Sequence, residues 1–161
     1  MWLIVIVSLI ILVIVYYFIT KNYSIKAKDD FDVYKTKDFL LNKTEKIAYD
    51  RILHFFKEQK KPFTILPKVR LTDFIWTPKE NRNAYLRIQT KFVDFLILSF
   101  PQLQPKLAIF IVNPENKAKM QSLNIIEPTL RSAGIKLIKI EPKEIFEDEL
   151  IEKIKEGLKW L

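Results

Sequence analysis

The chain has no cysteine, one histidine and two glycines in 161 residues. Without cysteine there is no disulfide framework, no thiolate metal site and no thiol nucleophile. His54 cannot form a histidine metal cluster by itself, and its setting is that of an ordinary helix histidine. Gly134 and Gly157 are too few and too far apart for a phosphate loop of the P-loop or Rossmann kind. Acidic residues are also in the minority: 27 Lys and Arg face 19 Asp and Glu, a formal charge of +8.

The sequence opens with a long apolar run. Residues 2–19 read WLIVIVSLIILVIVYYFI, interrupted only by Ser8. Eighteen helical residues rise about 27 Å, close to the thickness of a bilayer core. Trp2, Tyr16 and Tyr17 lie at its ends, where aromatic rings favour the headgroup region. A basic leader and a small-residue cleavage site are both missing, so the run does not read as a signal peptide. The expectation is a transmembrane helix over 1–20, attaching the protein to a membrane through residues 2–19. Lys21, Lys26 and Lys28 follow the run and no basic residue precedes it. The positive-inside rule then predicts a single-pass protein with its N-terminus outside and its C-terminal domain in the cytoplasm. Residues 21–38 are polar and aperiodic, as in a tether, and 39–161 are long enough for one domain with its own core.

Within that domain, Asn42 and Glu45 have the spacing of a capping box, and Ile47, Ala48, Ile52, Phe55 and Phe56 give the helix it opens an apolar stripe. Residues 63–71 read as a strand, with Pro67 marking an edge or a bulge. A short helical turn over 72–76 and a loop over 77–84 follow. The runs FVDFLILS (92–99) and KLAIFIV (106–112) suit strands buried on both faces of a helix-covered sheet. A helix over 115–133, kinked or shortened by Pro128 and closed at Gly134, leads to a strand over 135–140. An amphipathic helix over 144–161 ends the chain. The order α-β-β-β-α-β-α predicts an α/β domain with a mixed sheet.

Charge is concentrated early. Residues 21–91 hold 17 basic against 9 acidic residues, and 92–161 hold 10 of each. Such an excess suits an anionic lipid surface, a nucleic-acid phosphate backbone, or simply a solvated face. Lys68, Arg70, Arg82, Arg87 and Lys91 are the candidate nucleic-acid contacts. Lys68 and Arg70, two apart, are expected on one strand face. Trp76 and Tyr85 flank the 77–84 loop and are candidates for base stacking as well as for packing. Asp94 stands in an otherwise apolar strand, so its carboxylate needs a partner, with Arg87 and Lys91 the nearest cations in sequence.

Three segments, LNKTEKIAY (41–49), ILPKVRLTDF (65–74) and RIQTKFVDF (87–95), with LRSAGIKLIKI (130–140), together resemble the bacterial family called domain of unknown function 2726. That family is similar to the PD-(D/E)XK nuclease superfamily, with a restriction-endonuclease-like α-β-β-β-α-β core. The resemblance covers about residues 39–141. It implies a Mg²⁺ or Mn²⁺ site built from a helix glutamate, here Glu45, an aspartate of the second strand, here Asp94, and a third-strand glutamate beside a lysine or aspartate. At the third-strand positions this chain has Phe110 and Val112, which cannot ligate a metal or orient water. Lys119, Asn113 and Glu115 are the nearby residues able to compensate. Glu45 has a second reading, as the capping-box partner of Asn42.

These readings converge on a membrane-anchored nuclease-like domain that is catalytically inactive, needs no small-molecule cofactor, and binds nucleic acid or a protein partner near the membrane. One alternative is an active divalent-metal-dependent nuclease with relocated ligands. The other is a structural or interaction protein without a nucleic-acid role.

Overall fold

The structure, a computed structural model, describes residues 2–23 and 33–159. The chain divides into two compact units, Met1–Asp38 and Phe39–Leu161. In the first, α1 spans Trp2–Tyr23. Among the described residues, however, no helix is long and apolar enough to cross a membrane. The expected transmembrane helix is corrected on this finding, and the single-pass location, with the N-terminus outside and the domain in the cytoplasm, loses its support with it. Of the expected tether, residues 21–23 belong to α1, 24–32 lie outside the described residues, and 34–38 carry neither helix nor strand.

The second unit contains α2 (Lys43–Glu58), β1 (Phe63–Arg70), a 3-10 turn (Leu71–Asp73), α3 (Arg82–Ile88), β2 (Phe92–Ser99) and β3 (Pro105–Ile111). It continues with α4 (Lys117–Ser132), β4 (Lys136–Ile140), a second 3-10 turn (Glu144–Phe146) and α5 (Glu149–Leu158). The four strands form one sheet in the order β1-β2-β3-β4. The pairs β1–β2 and β2–β3 are antiparallel, and β4 joins parallel to β3 after the α4 crossover. The mixed α/β domain read from the sequence is therefore present.

Three local details differ from expectation. Helix α3 occupies part of the segment read as a loop; Asn81 caps it by accepting from the Ala84 amide at 3.1 Å. Its single buried residue, Ile88, leaves no periodic apolar pattern to read. Pro128 does not shorten α4, which continues to Ser132 before Gly134 at φ +72° closes it. The terminal helix is preceded by a separate 3-10 turn, because Glu144 turns its buried carboxylate back onto the Glu141 amide (3.0 Å) and Lys153 (2.7 Å).

Side chains alternate across β3. Leu107, Ile109 and Ile111 pack against α2 and α5, while Ala108 and Phe110 join Leu123, Ile126 and Leu130 of α4. The sheet is thus covered on both faces, which is why β2 and β3 read as nearly continuous apolar runs. Gly157 lets α5 approach the sheet closely: a Cβ there would lie 2.9 Å from Ile138 Cδ1 and 3.0 Å from both Leu107 methyls. A branched side chain has no room at that contact. Gly157→Val is expected to destabilise the domain by about 2 kcal/mol through overpacking, read as a lower urea midpoint with an unchanged slope.

Candidate functional site

Two strands change face at one level of the sheet. Ile65, Phe95 and Ile97 belong to the layer under α2 and α5, yet Val69 and Val93 pack with the α4 layer. Strict alternation would keep positions 65, 67 and 69 together, and likewise 93, 95 and 97. The switch falls between the pairs Pro67↔Phe95 and Val69↔Val93. There Lys68 adopts φ +54°, a left-handed backbone that costs a non-glycine residue roughly 1 kcal/mol or more. Lys68 and Arg70 therefore do not continue one regular face. Arg70 remains exposed, while Lys68 turns inward until its side chain is 26% exposed.

At this level four charged groups meet. Asp94 is 0% exposed. Its Oδ1 accepts from Lys68 Nζ (3.1 Å) and Lys119 Nζ (3.0 Å), and its Oδ2 accepts from Lys119 Nζ (2.8 Å) and the Ile111 amide (2.7 Å). The Ile111 amide needs such a partner because the antiparallel β2–β3 ladder ends at Phe95↔Ile109. Glu45 accepts one hydrogen bond on each carboxylate oxygen. Its Oε2 accepts from the Asn42 amide at 3.0 Å, while Asn42 Oδ1 accepts from the Glu45 amide at 2.8 Å, completing the capping box. Its Oε1 receives Lys68 Nζ. The cap and the ion pair thus coexist in one side chain.

Both ammonium groups also face aromatic rings. Lys119 Nζ lies 4.8 Å from the centroid of Phe110, and Lys68 Nζ lies 5.4 Å from that of Phe92. Phe110, at a position where the resemblance led to a glutamate, offers the negative face of its ring to the cation instead. Burial alone would lower the pKa of Lys68. The hydrogen bonds and charges of Glu45 and Asp94 outweigh it and hold the ammonium above the usual lysine range.

Two carboxylates and two ammonium groups form a neutral cluster with no buried side-chain polar atom left unpaired among the described residues. A divalent cation does not fit this arrangement. Asp94 accepts four hydrogen bonds, which fills its lone-pair capacity. Among the described residues no group of three acidic, histidine or cysteine side chains is placed to hold a metal. A cation would have to displace both lysines and would still have only two carboxylates. Asn113 and Glu115 line a cleft of about 490 Å³ beside Glu45 and Lys119, but Asn113 Oδ1 accepts from the Glu115 amide at 3.2 Å rather than turning toward the cluster.

Of the residues read as nucleic-acid contacts, Lys68 belongs to this cluster. Arg70 follows it at the end of β1, Arg82 and Arg87 are exposed on α3, and Lys91 is half-buried in the turn before β2. None of these four makes an ion pair among the described residues. Asp94 pairs with neither Arg87 nor Lys91. Its partners come instead from β1 and the first turn of α4, both distant in sequence. Lys119 carried the weaker sequence signal, as a cation in the first turn of a helix that follows a buried strand. Antiparallel pairing of 63–71 with 92–99 was the available clue for Lys68, since it brings that residue opposite Asp94.

The fold and the site together define an α/β domain organised around an internal ion cluster. The chain belongs to the family described as protein of unknown function (DUF2726), whose model matches residues 37–158. No curated protein and no solved structure matches the chain.

Two expectations follow from the cluster. Asp94→Ala leaves two partly buried ammonium groups and the Ile111 amide without their acceptor, and is expected to cost about 3 kcal/mol or more in urea unfolding. The second concerns alkaline pH. A pKa raised above the ordinary 10.5 contributes stability that is complete below that value and is lost as pH rises through the folded one. Stability should therefore fall above pH 10.5, and the fall should be shallower in Lys68→Met, as measured by the unfolding midpoint along a pH series.

Proposed function

We propose that residues 39–161 are a nuclease-like domain of the PD-(D/E)XK kind that binds nucleic acid without cutting it. The observation that carries this reading is the saturation of Asp94 by two lysines where a metal centre would need open oxygen ligands. Three further features support it. With the short α3 inserted between β1 and β2, the core runs α2-β1-β2-β3-α4-β4, with three antiparallel strands and a fourth parallel to the third. Glu45 of α2 and Asp94 of β2 converge on Lys68. Phe110 and Val112 stand at the third-strand positions and offer no oxygen ligand.

Catalysis by such a centre depends on a metal that activates water and neutralises developing phosphate charge. With ammonium groups hydrogen-bonded to both carboxylates, neither task has a residue to perform it, so binding is the better-supported role. Nucleic acid is favoured as the ligand by the basic excess of residues 21–91 and by Arg70, Arg82, Arg87 and Lys91, which form no ion pair among the described residues. A protein partner and an active centre with relocated ligands are the competing readings.

The test incubates the full chain with single-stranded DNA, double-stranded DNA and RNA, with Mg²⁺ or Mn²⁺ and with a chelator as control. No metal-dependent cleavage is expected, together with binding whose logarithm falls linearly with the logarithm of salt concentration. Metal-dependent cleavage would overturn the inactive reading. No binding at low salt would remove nucleic acid as the ligand and leave the protein partner.

A further inference from the structure

A second cleft, of about 520 Å³, lies away from the ion cluster, between the 75–77 loop, α3 and α4. Its size falls in the range of sites that hold small ligands. Trp76 and Arg87 stand on one side, and Asn124, Thr129 and Ser132 of α4 on the other. Trp76 is 80% exposed, an unusual setting for the largest apolar side chain. Arg87 projects from the last turn of α3, whose Ile88 is anchored in the α4-side core.

Charge separates this cleft from the one beside the cluster. The cluster cleft is lined by Glu45 and Glu115, and its one cation, Lys119, is committed to Asp94. A phosphate there would meet carboxylates without a free positive group. The cleft at Trp76 has no acidic residue in its lining and contains Arg87, which has no ion pair among the described residues.

We infer that the Trp76–Arg87 cleft, and not the cleft beside Asp94, is where this domain takes single-stranded nucleic acid, with a base stacked on Trp76 and a neighbouring phosphate on Arg87. The inference rests on the nucleic-acid reading above and assigns it a place and a strand form. Stacking on an indole face accepts any base, while a duplex keeps its bases inside and cannot use it. The Asn124 amide across the cleft supplies both a donor and an acceptor to a base edge.

The experiment measures fluorescence anisotropy of a labelled oligonucleotide of about 12 nucleotides, a length within known single-strand site sizes. It is run at low salt with the full chain, and with the same strand annealed to its complement. The single strand is expected to bind more tightly than the duplex. Trp76→Ala should weaken single-strand binding about 10-fold or more, and Trp76→Phe should recover part of the loss. Arg87→Gln should reduce the salt slope by about 0.7, the contribution of one phosphate contact on a single strand. Both residues are exposed, so unchanged thermal unfolding serves as the folding control. Binding that persists undiminished in Trp76→Ala would overturn the inference while leaving the proposed function standing. Failure of the full chain to bind any nucleic acid would overturn both.

Discussion

A carboxylate fully removed from water is the constraint around which this domain is arranged. Asp94 stands in the middle of a strand whose neighbours are apolar, and a buried carboxylate is tolerated there only when it is thoroughly hydrogen-bonded. Its four bonds come from three elements: β1 through Lys68, β3 through the Ile111 amide and α4 through Lys119. Lys68 in turn reaches Glu45, whose backbone and side chain close the first turn of α2. One side chain thereby ties α2, three strands and the crossover helix α4 into a single polar network. The left-handed backbone at Lys68 follows from the same requirement, since it turns the lysine toward the two carboxylates.

The apolar architecture is built to hold that network in place. Helices α2 and α5 cover one face of the sheet and α4 covers the other, so the cluster lies where both layers and the strand switch meet. Outside it the surface is free to carry different chemistry. Arg70 closes β1, and Arg82, Arg87 and Lys91 lie between β1 and β2, supported by α3 and the 3-10 turn rather than by the cluster. Charge that serves the fold and charge that faces solvent are therefore spatially distinct, although they are interleaved in the sequence.

Much of the fold was legible in the residues. The Asn42–Glu45 capping box, the apolar runs of β2 and β3, and Gly134 at the end of α4 each follow from a short-range rule, and each has the expected structural counterpart. Helix α3 was not legible, because seven residues with one buried anchor produce no period. The apolar N-terminal run formed a helix, but apolarity read from a sequence did not carry over to a membrane span among the described residues. At the site, the need for a partner at Asp94 was readable, whereas the identity of the partner was not. Arg87 and Lys91 are near in sequence, yet antiparallel pairing and the α4 crossover bring Lys68 and Lys119 instead. Long-range register decides such contacts, and a local reading has little access to it.

The saturation of Asp94 also limits how the site can change. Replacing either lysine with a neutral residue weakens the compensation of a buried carboxylate, and introducing an acid at Phe110 or Val112 adds negative charge without a cation to balance it. A centre able to hold a divalent ion lies several substitutions away, and each intermediate would carry uncompensated charge in the interior. The arrangement thus resists drift toward metal binding one residue at a time. Sequences that share this core and keep lysine at both positions would be expected to vary on their surfaces while holding the interior pattern fixed.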